Sequence, residues 1–211
     1  MRPILLLLLL VSAADAQDGP SLIRRMRLLL EKQGNKAATD QELRKELLRR
    51  RDEDQKFRQQ VIEAQKKGPV PADLVKQLAE TDRANREWLK GVVEKKGWPV
   101  RTLVGFDGED AAWLMVQHAD PDPAFQKQAL KLLEAAVKEN EARPIHVAYL
   151  TDRVQTGEGK KQIYGTQFTL KDGKLQAQPI EDEANVDKRR AELGMVPLAE
   201  YRKLMEQAYG K

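Results

Sequence analysis

The chain has 211 residues, and its 37 Lys and Arg against 33 Asp and Glu give a net charge of +4. With 33% of the residues charged and both signs intermixed, the composition indicates a solvated surface and argues against a nucleic-acid binder, which needs a concentrated basic face. The absence of cysteine excludes disulfide bonds, thiol nucleophiles and cysteine-ligated metals.

The first 16 residues have the pattern of a secretory signal peptide. Arg2 precedes an unbroken apolar run over residues 4–11, and the Ala-Asp-Ala sequence at 14–16 fits a cleavage site. The run is far shorter than the roughly 20 apolar residues that a membrane-spanning helix needs. We therefore expect cleavage before Gln17, export to the periplasm or beyond, no transmembrane anchor after cleavage, and a flexible basic arm over residues 17–38.

The next segment, residues 39–97, predicts a helical hairpin. A capping box starts its first helix, because the Thr39 hydroxyl can accept from the Glu42 amide while the Glu42 side chain reaches back. A Gly-Pro pair ends this helix after residue 67, and a Gly-Trp-Pro sequence ends the second helix after residue 96. Two long helices with so short a joint are expected to lie antiparallel.

The apolar stripes of these two helices are interrupted at matching heights. Asp54 interrupts the first stripe and Asp82 the second, and both lie a similar number of residues from the joint. In an antiparallel hairpin the two gaps would face each other, so that Asp54, Arg58, Asp82 and Asn85 could form one network. Since a buried unpaired carboxylate is costly, partners or a ligand are expected there. The alternative is that both faces are simply exposed to water.

The remaining residues, 98–211, predict a motif-bearing core that completes a single mostly α (α+β) domain over residues 39–211. The predicted elements in chain order are a turn at 105–108, helices over 109–119, 124–140 and 144–154, strands over 162–170 and 174–180, and closing helices before Gly194 and after Pro197. The two strands flank the Lys-Asp-Gly sequence at 171–173, which is a strong signal for a β-hairpin turn.

The apolar stretch "AWLMVQHAD" ends in polar residues that could carry chemistry. Gln117 and His118 lie on adjacent faces of this helix, one turn after Trp113 and Leu114. His118 could donate or accept a proton, because histidine titrates near neutral pH. The alternative is a helix-end imidazole that binds a carbonyl group or is stabilised by the helix dipole.

Two further apolar segments also end in polar residues. In "LTDRV", Asp152 and Arg153 either form a local salt bridge or cap at the helix end, or Arg153 binds a carboxylate or phosphate group. In "YGTQ", Tyr164 and Gln167 would face opposite sides of a strand. Gly165 between them indicates a close approach of another part of the chain or a ligand to the backbone.

The usual catalytic signatures are absent from the sequence. It has no HExxH, P-loop, GxSxG or GxGxxG motif, and "HADPD" is not an established metal signature. A serine hydrolase is not expected, because Ser12 belongs to the signal peptide and Ser21 to the arm. We therefore predict no metal and no cofactor. The charged residues Asp187, Arg189 and Arg190 are most simply interpreted as a solvated helix face.

Several of these stretches together resemble an uncharacterised bacterial family, the domain of unknown function 6624. The motifs that carry the resemblance are "GWP" (97–99), "AAWLMVQHAD" (111–120), "AYLTDRV" (148–154), "QIYGTQF" (162–168) and "VDKRRAELGMVPLAEY" (186–201). "DQKFR" (54–58) and "DRANREWL" (82–89) are similar to the upstream elements of the family. The resemblance spans about residues 44–201. It implies a small, often exported helical domain without an assigned activity or established catalytic residues.

Together these features predict an exported domain with one polar pocket, which binds a small molecule or envelope component or acts on it by acid–base chemistry. His118 would be the general acid or base, with Asp152 as its orienting partner or as a second carboxylate. Arg153 would hold an anionic group. The other residues expected to line or close the pocket are Gln117, Tyr164, Gln167, Asp54, Arg58, Asp82 and Asn85.

The alternative is a non-catalytic structural or interaction module. In that case the same polar residues would satisfy one another in a buried network that fixes how the helices pack. The pocket hypothesis requires the side chains of His118, Arg153 and Tyr164 to converge, whereas the structural hypothesis does not.

Overall fold

The computed structural model describes residues 31–171 and 174–209, which belong to two compact units, residues 31–142 and 143–209. The first unit contains a helical stretch at 31–37 and helices α1 (Gln41–Lys67), α2 (Ala72–Lys96), α3 (Arg101–Gln117) and α4 (Pro123–Lys138). The second contains helix α5 (Pro144–Gly157), strands β1 (Phe168–Lys171) and β2 (Lys174–Ala177), a 3₁₀ turn (Glu183–Asn185), and helices α6 (Val186–Glu192) and α7 (Leu198–Tyr209). The prediction of a mostly α fold with one late β-hairpin is confirmed.

Some sequence expectations lie outside the described residues. These are the signal peptide and most of the basic arm, residues 1–30, and the hairpin turn at 172–173. Within the ranges that the structure describes, no helix combines the length and the apolar composition needed to cross a bilayer.

The predicted helical hairpin is confirmed by α1 and α2, which pack together and are joined by residues 68–71. The predicted cap of α1 is wrong, because Asp40 is the N-cap and its Oδ1 accepts from the Leu43 amide at 3.0 Å. Thr39 does not cap α1 and binds the backbone of α3 instead. Its amide and its hydroxyl both donate to the carbonyl of Thr102, at 3.1 and 3.3 Å.

Helix α3 forms the core of the first unit and packs against both α1 and α2. Trp113, Leu114 and Val116 are each at most 4% exposed. Burial on all sides explains why this helix is apolar over consecutive positions rather than along one stripe. It also places the polar residues at its end, Gln117 and His118, inside the protein at 1% and 6% exposure.

The turn predicted at residues 105–108 is wrong in its extent. The chain kinks only at Gly105, with φ +77° and ψ 174°, and the helix continues through Gly108. Asn35 Oδ1 accepts from the Phe106 amide at 2.7 Å and so caps the part of α3 that follows the kink. Because this cap comes from a distant part of the sequence, local sequence signals do not reveal it.

The β-hairpin of the second unit is shorter than predicted. Its strands pair antiparallel, with Phe168 opposite Ala177. Of residues 162–167, which belong to the predicted first strand, Gln162 forms an isolated parallel bridge with Ile180 and the others have no regular strand structure. The amides of Ile163, Tyr164, Thr166 and Gln167 donate to the side chains of Asp152 and Gln162, so these four are not available to a neighbouring strand.

We expect Gly105→Ala to lower the free energy of unfolding by about 2–4 kcal/mol, because a positive φ strains any residue with a Cβ. The added Cβ would also lie 2.7 Å from Asn35 Oδ1 and 2.9 Å from its Cα. Urea unfolding measures the loss. Gly91→Ala is the matched control, since its Cβ would have no atom within 4 Å and alanine favours a helix by up to about 1 kcal/mol. Equal stability of the two variants would contradict the strain at Gly105.

Candidate functional site

A buried ion pair within α1 forms the base of the candidate site. Asp54 and Arg58 lie one helical turn apart, and their side chains are 2% and 0% exposed. Arg58 Nε donates to the two carboxylate oxygens of Asp54 at 2.9 and 3.0 Å, and Nη2 lies 2.9 Å from Oδ1. Gln55 Nε2 donates a further hydrogen bond to Asp54 at 2.8 Å. These bonds hold the Asp54 carboxylate in one orientation.

Asp82 on α2 binds the same guanidinium group. Arg58 Nη2 donates to Asp82 Oδ1, so one side chain joins two carboxylates from the two arms of the hairpin. The Asp82 side chain is 19% exposed, in contrast to its buried partners. The polar gaps of the two helices therefore do face each other, and Asp82 is the member of this group that reaches the solvent.

His118, the C-cap of α3, completes the cluster. Its Nδ1 lies 3.2 Å from both carboxylate oxygens of Asp54, and its side chain is 4% exposed. Because an ionised carboxylate only accepts hydrogen bonds, Nδ1 carries a proton whether the ring is neutral or charged. The basic lone pair of the neutral imidazole then lies on Nε2.

The two carboxyl groups of the cluster differ in pKa. Burial raises the pKa of Asp54, but the charges and hydrogen bonds of His118 and Arg58 outweigh burial and hold this pKa below its ordinary range. Burial raises the pKa of Asp82 as well, and the neighbouring Asp54 adds to this effect against the attraction of Arg58, bringing the pKa to about 7. Near neutral pH the cluster thus holds one ionised carboxylate and one carboxyl that is close to half-protonated.

The same three side chains have a spacing that could suit a metal ion. Ligand atoms of Asp54, Asp82 and His118 lie within 4.8 Å of one another. However, Arg58 Nη2 contacts both carboxylates, so a guanidinium already supplies positive charge between them. A metal cation at this position would be repelled by that charge. The contacts of Arg58 therefore argue against a metal ion between these two carboxylates.

Two other predicted residues of the first unit lie next to this cluster in the sequence. Asn85 accepts at Oδ1 from Arg50 Nη1 at 3.1 Å, and the Arg50 guanidinium stacks 4.4 Å from the ring centre of Trp88. Asn85 on α2 therefore contacts α1 through Arg50, and not through the arginine that binds Asp82. Gln117, one residue before the imidazole, is 1% exposed at the end of α3.

In the second unit, Asp152 organises the segment that precedes β1. Its Oδ1 accepts from the amides of Ile163 and Tyr164 at 2.7 and 3.0 Å, and its Oδ2 accepts from the amide and the hydroxyl of Thr166, both at 2.9 Å. Burial raises the pKa of Asp152, while these hydrogen bonds favour the ionised form. The contacts are those of a residue that shapes a loop, and the predicted catalytic role of Asp152 stays a prediction.

Two glutamines extend this network. Gln162 Oε1 accepts from the Gln167 amide at 2.7 Å, and its Nε2 donates to the carbonyls of Gln167 and Gln178 at 3.0 and 2.8 Å. The Gln167 side chain accepts from Arg153 Nη1 at 3.3 Å and donates to the Thr166 hydroxyl at 3.1 Å. Two predicted ligand-binding residues, Arg153 and Gln167, are therefore in direct contact with each other.

Gly165 shows the close approach that its place in "YGTQ" predicts, although in an irregular segment and not within a strand. Its φ is +72°, and a Cβ on it would lie 2.7 Å from Leu198 Cδ1 and 3.0 Å from Ile180 Cδ1. Side chains of the same unit therefore pack on this glycine. Tyr164 directly before it is partly exposed.

The prediction that Asp187, Arg189 and Arg190 form a solvated helix face is wrong for Arg190, while Arg189 is partly exposed. Arg190 is 0% exposed, and it donates from Nε to the Val196 carbonyl and from Nη1 to the Tyr164 carbonyl, both at 2.7 Å. Arg189 donates to three backbone carbonyls. A charge pattern does not separate a buried arginine that binds backbone carbonyls from one in water, so sequence reasoning missed Arg190.

The predicted site residues thus fall into two groups, each within one unit. The group of the first unit, in mutual contact, is Asp54, Arg58, Asp82 and His118. The group of the second unit, joined through side chains and the backbone of "YGTQ", is Asp152, Arg153, Tyr164 and Gln167. One pocket that unites the two groups stays a prediction.

Comparison with known proteins identifies a family. The sequence model of the family of unknown function DUF6624 matches residues 41–211, which confirms the resemblance indicated by the motifs. The match begins at the first residue of α1 and includes all the contacts of the candidate site. No curated protein and no solved structure matches the chain.

Asp152→Ala should lower the free energy of unfolding by about 3–5 kcal/mol, because buried amide and hydroxyl donors lose a charged acceptor. Urea unfolding at neutral pH measures this loss. Glu192→Gln in α6 removes an exposed carboxylate instead, and it should change stability by no more than about 0.5 kcal/mol. If both variants unfold at the same urea concentration, the Asp152 network does not hold the segment in place.

Asp82 should make the protein less stable as the pH rises from about 4 to about 7. Its folded-state pKa of about 7 exceeds the ordinary value of 3.8, so the folded protein binds more protons than the unfolded chain in this interval. Asp54 has the opposite sign, since its lowered pKa gives stability that is lost only as the pH falls below its ordinary range. The measurement is chemical unfolding at a series of pH values.

Asp82→Asn isolates this effect, because the facing groups Asp54, Arg58 and His118 remain. The stability of the wild type relative to the variant should decline steadily over the same pH interval. A difference that stays constant from about pH 4 to about pH 8 would show that Asp82 does not bind its proton more tightly in the folded state.

Proposed function

Because the chain belongs to the family of unknown function DUF6624, whose description assigns no activity, we propose a function from the side chains themselves. The protein is an exported domain that carries out acid–base chemistry on a small molecule of the cell envelope. The observation that carries the proposal is the contact of His118 Nδ1 with the buried, arginine-fixed carboxylate of Asp54, at 3.2 Å.

In this proposal His118 is the general acid or base. A carboxylate that accepts from Nδ1 fixes the ring orientation and its tautomer, and it stabilises the imidazolium form when Nε2 takes up a proton. Asp54 therefore takes the orienting role for which the sequence suggests Asp152. The bidentate contact from Arg58 keeps Asp54 ionised and in place.

Asp82 is the second acid–base group of the proposed site. Its carboxyl titrates near neutrality and it is the partly exposed member of the cluster. When one acid–base group is protonated and another is not at the same pH, the first can donate a proton and the second can accept one within a single reaction cycle. Arg58 binds both carboxylates, so it fixes the distance between them and favours the ionised form of each.

The proposal of export depends on the N-terminal signal pattern, which predicts a mature chain that begins at Gln17. An envelope component is the substrate class that such a location makes available. Hydrolysis is the reaction class that needs only acid–base groups and water, and the cluster supplies such groups without a serine or cysteine nucleophile.

A second candidate function, the structural or interaction module, is favoured by a different observation in residues 143–209. There the carboxylate of Asp152 and the amide of Gln162 bond to the backbone of their own unit. Satisfied polar networks of this kind specify one arrangement of the chain. The "DRV" and "YGTQ" motifs are then explained by folding alone.

His118→Asn tests the proposed function, since asparagine keeps an N–H donor near the Nδ1 position but cannot take up a proton. With chromogenic esters, phosphoesters and peptidoglycan fragments as probes, we expect kcat/KM to fall by about 100- to 10,000-fold. Asp54→Asn should reduce the same constant, while the melting temperature of His118→Asn stays within a few degrees of the wild type.

Glu134→Gln, which alters an exposed side chain on α4, is the control and should keep full turnover. Two results would overturn the proposal. One is turnover that His118→Asn leaves unchanged. The other is the absence of turnover for all probes together with a large loss of melting temperature in His118→Asn, which would assign the cluster to packing.

A further inference from the structure

Arg190 in α6 is the most deeply buried cation of the second unit that the structure describes. Its whole residue is 0% exposed. Nε and Nη1 each donate to a backbone carbonyl at 2.7 Å, those of Val196 and Tyr164. The guanidinium also lies 4.9 Å from the ring centre of Tyr201, whose own flanks contact the rings of Tyr149 and Phe168 edge-on.

The charge of Arg190 has no ionic partner in residues 31–171 and 174–209. The two acidic residues whose charges act on it are engaged with the backbone, Asp187 with the Leu198 amide and Asp152 with the amides before β1. Burial lowers the pKa of Arg190, which is the direction expected for a cation removed from water without a counter-ion. Carbonyl groups and an aromatic face offer only partial charges in return.

One nitrogen of the guanidinium is also unmatched. Nη2 is buried and finds no hydrogen-bond acceptor in the part of the chain that the structure describes. Buried polar groups in proteins are almost always hydrogen-bonded, so a charged donor without an acceptor points to a ligand. Arg58 Nη1 is likewise buried without an acceptor, but the charge of Arg58 is balanced by two carboxylates, whereas that of Arg190 faces none among the described residues.

We propose that Arg190 anchors a binding site for a small oxyanion, a carboxylate or phosphate group, which accepts a hydrogen bond from Nη2. Such a group supplies both the negative charge and the acceptor that the surroundings lack, and guanidinium groups bind it with matching geometry. The site involves none of the residues of the proposed acid–base cluster. It gives the "VDKRRAELG" motif a role in binding.

Thermal unfolding of the wild type in sodium phosphate, sodium acetate and sodium chloride, at equal pH and ionic strength, tests the proposal. We expect a saturable rise in Tm with phosphate or acetate over chloride, of roughly 5–10 °C at about a hundredfold excess over Kd. A response to acetate alone identifies a carboxylate ligand, and a response to phosphate identifies a phosphate group.

Two variants separate this site from the general stabilising effect of such salts. Arg190→Lys keeps a positive charge but loses the planar fork, so the affinity should fall by about tenfold or more. Lys188→Gln removes an exposed positive charge from the same helix and should keep the full response. An increase in Tm of equal size in wild type and Arg190→Lys would overturn the proposal.

A measurement on the wild type alone keeps the test decisive if the Arg190 variant does not fold. Titration with phosphate and acetate should shift the Nε–H resonance of one arginine in a saturable way, whereas chloride should not. If no arginine resonance responds to either oxyanion and the Tm values are the same in all three salts, Arg190 has a purely structural role.

Discussion

The guanidinium of Arg58 is the interaction on which the first unit depends. The hydrophobic effect that holds two helices together is non-directional, whereas a guanidinium bound to two carboxylates has a defined geometry. Asp54 belongs to the same helix as Arg58 and Asp82 to the other arm of the hairpin, so the contact fixes the height of one helix against the other. Removing charges from water costs several kcal/mol per ion, and this cost is offset only when the bonding geometry is good.

The second unit uses charged groups in another way, as partners for the backbone. Between α5 and β1, Asp152 accepts from amides and Arg190 donates to a carbonyl, that of Tyr164. An irregular segment needs such partners for the polar backbone groups that no neighbouring strand binds. Asp152 on α5 and Arg190 on α6 thus bind backbone groups that a neighbouring strand would bind in a sheet.

Much of the fold could be predicted from the sequence, because glycine and proline mark the ends of the long helices and the hairpin turn. The pairing of Asp54 with the Asp82 arm could also be predicted, since equal distance from a short joint implies equal height. The prediction of the Thr39 cap and of a turn reaching Gly108 failed for one physical reason. Both depend on contacts with residues far away in the sequence, which local patterns do not contain.

The candidate site could be predicted only in part, because its contacts also join residues that lie far apart in the sequence. His118, Asp54, Arg58 and Asp82 were recognisable as polar residues in apolar surroundings, and the structure places these four in contact. The contact between His118 and Asp54 crosses 64 positions of the chain, so sequence alone could not choose Asp54 over Asp152 as the neighbour of the imidazole. Arg190 was missed because buried and exposed arginines look alike in a charge pattern.

The hairpin geometry also limits how the length of this chain can change. Each residue inserted into a helix rotates everything beyond it by about 100° and moves it by about 1.5 Å. A single insertion in α1 between Asp54 and residue 68 would turn that carboxylate away from α2. To restore the contact, insertions would have to add whole turns to both arms, in the facing parts of α1 and α2. Residues 54–82 therefore behave as a unit of fixed length, and variation in length is expected to accumulate outside it.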